Sequence, residues 1–346
     1  MKRGCVIGYD INEKGCQISY YDDSMEEPDT MMASSNNYLI PLVLGYFKDR
    51  WVFGKEAKRL AVVGEDCTET DLYGKAKRRE KVSLAGKTYD AVWLLAKYIS
   101  LTLQDFENIQ YLTFTTPETD VDMAKMLKGI GQHIGVDKEI INVQDYKESF
   151  CQYMIFQPKE LWQYESALFY CDEDRIKAYM LRRLRVDASH GMNSFVTVDE
   201  VANAQRKELE ALYPIMNKEK SPDESFKSMI ENVFEKKVIS SVYLTGEGFE
   251  KNWYPNSLRV LCNGRRAFMG NNLYSKGACY KSIRKCEPND DGPIYLDETK
   301  LTERICLRMR VDGQEGWYPL VTWGTHWYEA DGQWEVDRKS IRLNSS

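Results

Sequence analysis

Two aspartates stand where an apolar strand gives way to a turn: Asp10 in Gly8-Tyr9-Asp10-Ile11-Asn12, and Asp172 in Phe169-Tyr170-Cys171-Asp172-Glu173-Asp174. A carboxylate in such a place has two uses. It accepts hydrogen bonds from the amides of its own turn, or it offers oxygen to a hard cation. A third segment, Val242-Tyr243-Leu244 running into Thr245-Gly246-Glu247-Gly248-Phe249, is an apolar strand followed by a glycine turn. Gly246 and Gly248 either permit positive φ in a tight strand-to-helix turn or let a flat base and ribose pack against backbone.

Other chemistries are absent from the sequence. There is no Gly-x-Ser-x-Gly and no GxxxxGK[ST], which removes the simplest hydrolase and P-loop readings. The nine cysteines are odd in number, scattered and without a CxxC pair, which argues against both a zinc site and a disulfide framework. Most of them read as buried small hydrophobes. His133, His190 and His326 fall on different predicted elements without metal-ligand spacing. A net charge of −6 opposes non-specific attraction to nucleic acid, and the basic runs Lys75–Lys81 and Arg182–Arg185 read as solvated faces.

The elements that must position these residues alternate between strand and helix. Residues 4–11 and 16–21 read as a hairpin around Asn12-Glu13-Lys14-Gly15. Tyr38–Leu44 and Trp51–Phe53 read as a second strand pair joined through Gly45–Arg50, followed by a short helix from Gly54. Apolar spacing predicts helices over Asp90–Leu103 and Val121–Ile134, strands over Ile109–Phe114 and Glu139–Val143, and a helix over Tyr146–Met154. At Ser166–Leu181 the opening hairpin recurs, a hint of internal duplication. Thr197-x-x-Glu200 reads as a capping box opening a segment to Met216, and Ser221-Pro222 opens a further helix. Such alternation implies a mostly parallel sheet covered by helices. After about residue 285 the texture changes to short strands, including Arg304–Val311, Trp317–Val321 and Trp327-Tyr328. Trp317, Trp323, Trp327 and Tyr328 read as packing of a small β domain or as a partner-binding face. No window is apolar enough to cross a bilayer and no signal peptide is legible, so a cytoplasmic protein is expected. The patternless end, Asp337–Ser346, is expected to be truncated or foreign.

Taken in order, four segments between residues 4 and 281 resemble the landmarks of the actin, Hsp70 and sugar-kinase ATPase superfamily. The Gly8–Asn12 segment resembles its first phosphate hairpin, and Phe169–Asp174 sits where the second should be. Leu112–Pro117 with the following helix and Ile140–Asp145 resembles the passage towards the interdomain connection. Val242–Phe249 resembles the adenosine-site strand, and Phe268-Met269-Gly270 through Gly277-Ala278 the later helix with its Gly-Ala. The resemblance implies an α/β, actin-like ATPase fold of two lobes, spanning residues 1–160 with a small insertion at about 36–90, and 161–284 with a helical insertion at about 187–238. Residues 285–346 would be a β-rich appendage.

It further implies ATP or ADP in an interlobe cleft, with Asp10 and Asp172 as Mg²⁺ ligands and Asp10, Asp145 and Asp172 as catalytic carboxylates, Glu148 competing with Asp145. Gly8, Asn12, Gly246, Glu247, Gly248 and Gly277 would line the nucleotide. Lys75 and Lys77 are positional matches for a lysine near the γ-phosphate. The glycines that should follow Asp10 and Asp172 are replaced by Asn12-Glu13-Lys14 and Glu173-Asp174-Arg175, leaving fewer unobstructed amides for phosphate. Weak or absent hydrolysis is therefore expected. The alternative is a pseudo-ATPase scaffold of the same fold that binds a protein partner. With no chaperone linker or peptide-binding domain following, the resemblance is nearest to bacterial Hsp70-like proteins rather than chaperones.

Overall fold

The chain opens with the expected hairpin, β1 (Cys5–Ile11) and β2 (Gly15–Tyr21), closed by Asn12, whose side-chain oxygen accepts from the amides of Lys14 and Gly15. The computed structural model describes residues 4–34, 37–64, 67–184, 194–205, 221–250, 253–287, 292–311 and 314–330. It divides into two units, Met1–Pro293 and Ile294–Ser346.

In the first unit β3 (Asp29–Thr30) and β4 (Ile40–Pro41) both pair with β2. A small insertion follows: β5 (Leu44–Phe47), β6 (Arg50–Phe53), α1 (Gly54–Val63), β7 (Thr68–Glu69), α2 (Leu72–Lys77), β8 (Lys81–Leu84) and β9 (Lys87–Asp90). Here the expected strand over Tyr38–Leu44 divides, and β5 and β6 meet at a two-residue turn. Lys48 and Asp49 both take positive φ there, as a tight hairpin turn requires, although neither is the glycine or asparagine that would advertise it. α3 (Ala91–Thr102) is capped by Asp90, and α4 (Val121–His133) by Asp120. Between them runs β10 (Ile109–Thr116), and after them β11 (Ile141–Asp145) and α5 (Tyr146–Ile155).

The hydrogen-bonded path through the first sheet is β3-β2-β1-β10-β11, with β1, β10 and β11 parallel and β2 and β3 antiparallel to their neighbours. A second sheet repeats that plan. It contains β12 (Glu165–Cys171), β13 (Arg175–Leu184), β14 (Phe195–Gln205), then, after α6 (Pro222–Phe234), β15 (Ile239–Thr245) and, after α7 (Pro255–Leu261), β16 (Arg266–Met269). Its path reads β14-β13-β12-β15-β16, with the same parallel and antiparallel relations. Phe169, Ile176, Phe226 and Phe249 fill the core between this sheet and α6. α8 (Leu273–Cys286) and α5 pack on each other, α8 against β1, β2 and β10, and α5 against β10, β11 and β14.

Two further segments of this unit differ from the sequence reading. Thr197–Gln205 is strand, not the start of a capped helix, because Val196, Thr197 and Val198, and beyond a bulge at Val201 the residues to Gln205, complete a long antiparallel ladder on β13. The remainder of that expected helix, residues 206–220, lies outside the described residues. Phe268 and Met269 end β16 rather than begin the Gly-Ala helix, which starts at Leu273.

The second unit has β17 (Ile294–Tyr295) and an antiparallel hairpin of β18 (Ile305–Val311) and β19 (Gln314–Val321). Trp327–Glu329 forms one 3₁₀ turn instead of the expected strand. Trp323 lies under the Arg304 guanidinium and Tyr328 stacks on His326, whereas Trp317 and Trp327 are 70% and 58% exposed. Among the described residues no helix is long and apolar enough to cross a membrane.

Candidate functional site

Strand alternation decides which side of the first sheet does chemistry. Tyr9 points to α3, where its hydroxyl meets Thr102 at 2.7 Å, so Gly8 and Asp10 face the opposite way, towards α5 and α8. Across the strands Gln17, Asp10, Thr115 and Gln144 stand in register, as do Ser19, Gly8, Thr113 and Asn142. The face that meets the helix pair is therefore polar. Its hydroxyls are satisfied by small polar residues on the helices: Ser19 by Ser275 at 2.8 Å, Thr113 by Ser282 at 2.7 Å, and Thr115 by Ser149 at 2.7 Å, which also accepts from Gln144.

Asp10 is 4% exposed and meets one donor, the Tyr146 hydroxyl at 2.8 Å. Burial pushes its carboxyl up to about 7, against the partial relief of that hydrogen bond. Tyr146 is fixed twice over. It is the first residue of α5, whose N-cap is Asp145, and its ring lies flat on Tyr274 at a centroid distance of 3.7 Å and 7° between planes. Its hydroxyl also accepts from the Asn12 amide at 2.9 Å. Tyr170 approaches Tyr274 at 6.3 Å. Burial first, and then neighbouring charges that include Asp10, push the hydroxyls of Tyr73, Tyr146, Tyr170 and Tyr274 up, so all four stay protonated. Lys14, at the tip of the first hairpin, forms an ion pair with Glu247 in the glycine turn that follows β15 and feels the charges of Glu173 and Asp172. The tips of both hairpins and that glycine turn thus share one location.

The expected site residues divide into two groups. Asp10 and Asn12 meet at Tyr146, Glu247 joins through Lys14, and Asp172 lies within electrostatic reach of Lys14 and Tyr170. Asp172 turns one oxygen onto the amides of Asp174 and Arg175, the bland use of a turn carboxylate. Asp145 caps α5 by accepting from the Glu148 amide, and Glu148 pairs with Lys281 on α8. The glycines make room for protein backbone. A Cβ on Gly8 would stand 2.8 Å from the Ala278 carbonyl carbon, on Gly277 2.7 Å from that of Ser149, on Gly246 2.9 Å from that of Cys171, and on Gly248 2.7 Å from the Asp172 carbonyl oxygen. Lys75 pairs with the buried Glu69. Among the described residues no group of three or more His, Cys, Asp or Glu side chains gathers to hold a metal ion. A cation on Asp10 would compete with the Tyr146 hydroxyl for that carboxylate.

Sequence reasoning missed Tyr146, Tyr274, Tyr170, Tyr73 and Lys14. One signal was available: Thr113 and Thr115 put hydroxyls at alternate positions of the buried stretch Leu112–Thr116, which marks a face that must find polar partners. The Lys14–Glu247 pair is more than a third exposed on both sides, so Lys14→Ala should lower stability by no more than about 1 kcal/mol in a urea titration, with the difference shrinking in high salt.

Fold and site define a mixed α/β unit of two topologically matching sheets around a helix pair, with a smaller β unit after it. The chain belongs to the family described as Family of unknown function (DUF5716) C-terminal, which matches residues 27–298. Residues 300–340 match a Domain of unknown function (DUF8552). Comparison with curated proteins finds no match.

Proposed function

We propose that this chain is a pseudo-ATPase of the actin and Hsp70-type fold, kept as a scaffold that binds a protein partner. The shared strand order of the two sheets, each with three antiparallel and then two parallel additions around a helix pair, supports the fold half of this reading. One observation carries the functional half. The cleft side chains satisfy one another, Asp10 with Tyr146, Tyr146 with Asn12 and Tyr274, and Lys14 with Glu247. A polar group that already holds a partner gains nothing by exchanging it for a ligand contact of equal quality. A second reading, nucleotide binding without efficient hydrolysis, is favoured by the convergence of the hairpin tips and the glycine turn, where a phosphate chain would lie in this fold.

Calorimetry with ATP, ADP and a non-hydrolysable analogue, each with and without Mg²⁺, separates the two. The scaffold reading expects no binding heat from wild type. Micromolar, Mg²⁺-dependent binding with turnover that disappears in Asp10→Ala would replace it by the ATPase reading.

A further inference from the structure

β16 is the terminal strand of the second sheet on its parallel side. β16 pairs with β15 on one side, and among the described residues no strand pairs with its other side. The direction of its backbone groups follows from one hydrogen bond. The Gly270 amide donates to the Leu244 carbonyl at 3.1 Å, so by strand alternation Phe268 also faces β15, while the N–H and C=O groups of Ala267 and Met269 point outward. The side chains there are apolar and accessible: Phe268 is 37% exposed and Met269 60%. Phe268 is also one end of an aromatic strip. It stacks on Tyr243 at 5.0 Å, Tyr243 meets Tyr153, Tyr153 meets Tyr280, and Tyr280 stacks on Phe156, which is again 37% exposed.

Edge strands of this kind are normally blunted by proline, inward charge or a covering element, because they template pairing with another chain. Here the charge sits at the start of the strand and is positive. Arg265 lies over the Phe234 ring at 4.5 Å with its Nη1 buried and unpartnered, and Arg266 is exposed. Neither meets a carboxylate among the described residues.

We propose that β16 is a strand-addition site for an extended segment of a partner protein, one with alternating apolar residues and a carboxylate beside Arg265 and Arg266. Main-chain bonds to Ala267 and Met269 would supply affinity, the aromatic strip would take alternate side chains, and the arginines would select the acidic end. The proposal rests on the scaffold reading, for which it names the surface. Nucleotide titration tests that reading and peptide titration tests this one, so the two fail separately.

The probes are fluorescent ten-residue peptides of alternating valine and threonine, carrying two glutamates at one end, at the other end, or two lysines instead. Anisotropy with the whole chain should show an acidic peptide binding at least about tenfold tighter than the lysine peptide, and which acidic peptide wins reports strand direction. Met269→Pro removes an outward N–H without touching the ladder to β15 and should weaken binding about tenfold, whereas Met269→Thr keeps that N–H and should stay within about threefold. Arg266→Glu should reverse the charge preference, a readout that does not depend on the proline variant folding. Failure of all the peptides to bind wild type, or equal behaviour of the proline and threonine variants, overturns the proposal. A wild-type dimer in sedimentation that Met269→Pro disperses also overturns it, assigning the edge to a second copy of this chain.

Discussion

Gly277→Ala is expected to cost about 3 kcal/mol, enough to cut soluble yield in a domain of ordinary marginal stability, and Gly277→Val to abolish folding. The reason is that the first carbon of any side chain arrives against main chain. A Cβ at 277 meets the Ser149 carbonyl group, which has no rotamer to escape into. Prising α5 and α8 apart would also strain the contacts that hold Ser149 to Thr115 and Gln144, Glu148 to Lys281, and Gln152 to Arg284 at 2.9 Å. Gly129, inside α4, is the control, because a Cβ there meets nothing within 4 Å. Gly129→Ala should stabilise by about 0.5–1 kcal/mol through helix propensity alone. Urea midpoints of the two alanine variants against wild type check the pair. A loss below about 1 kcal/mol at Gly277 would mean that the helix pair is less closely packed than described.

The second large effect is electrostatic. Asp10→Asn should stabilise the protein above pH 7 by up to about 4 kcal/mol and leave it unchanged below pH 4, since a shift of about three pH units at 1.36 kcal/mol each sets the ceiling. The sign follows from where the proton sits. An ordinary aspartate, as in the unfolded chain, releases its proton near 3.8, whereas folded Asp10 holds it up to about 7. Between those values the unfolded state binds fewer protons than the folded one, so wild-type stability falls as pH rises from about 4 to about 7 and the penalty is complete above that. Asparagine cannot ionise and has no such slope. Its oxygen still accepts from Tyr146, so the contact geometry survives. Urea titrations of both proteins at half-unit steps from pH 4 to 8 measure the difference. Parallel curves would show that Asp10 is ionised throughout, solvated or paired in a way the burial of this carboxyl excludes.

Much of the architecture was legible because local chemistry and tertiary demand agree. The hairpin around Asn12, the Ser221-Pro222 helix start and the apolar periodicity of the helices are short-range signals, and each element they mark is present. The recurrence of the first hairpin at Ser166–Leu181 was legible too, and the matching strand orders give it a topological form. Where two residues far apart in the chain had to meet, sequence was silent. Thr197–Gln205 carries a helix-like capping pattern, yet β13 offers an unpaired edge, and ten ladder positions outweigh one cap.

Sequence by itself determined the residue types: acids at Asp10 and Asp172 beside two hairpin turns, and glycines at Gly8 in a strand, at Gly246 and Gly248 after another and at Gly277 in a helix. Only the tertiary structure decided what faces them. A glycine that admits a phosphate and a glycine that admits a neighbouring helix are identical in sequence, since both are defined by a missing Cβ. What occupies the vacated space depends on the approach of α8 to β1 and to α5, a distance no local pattern encodes.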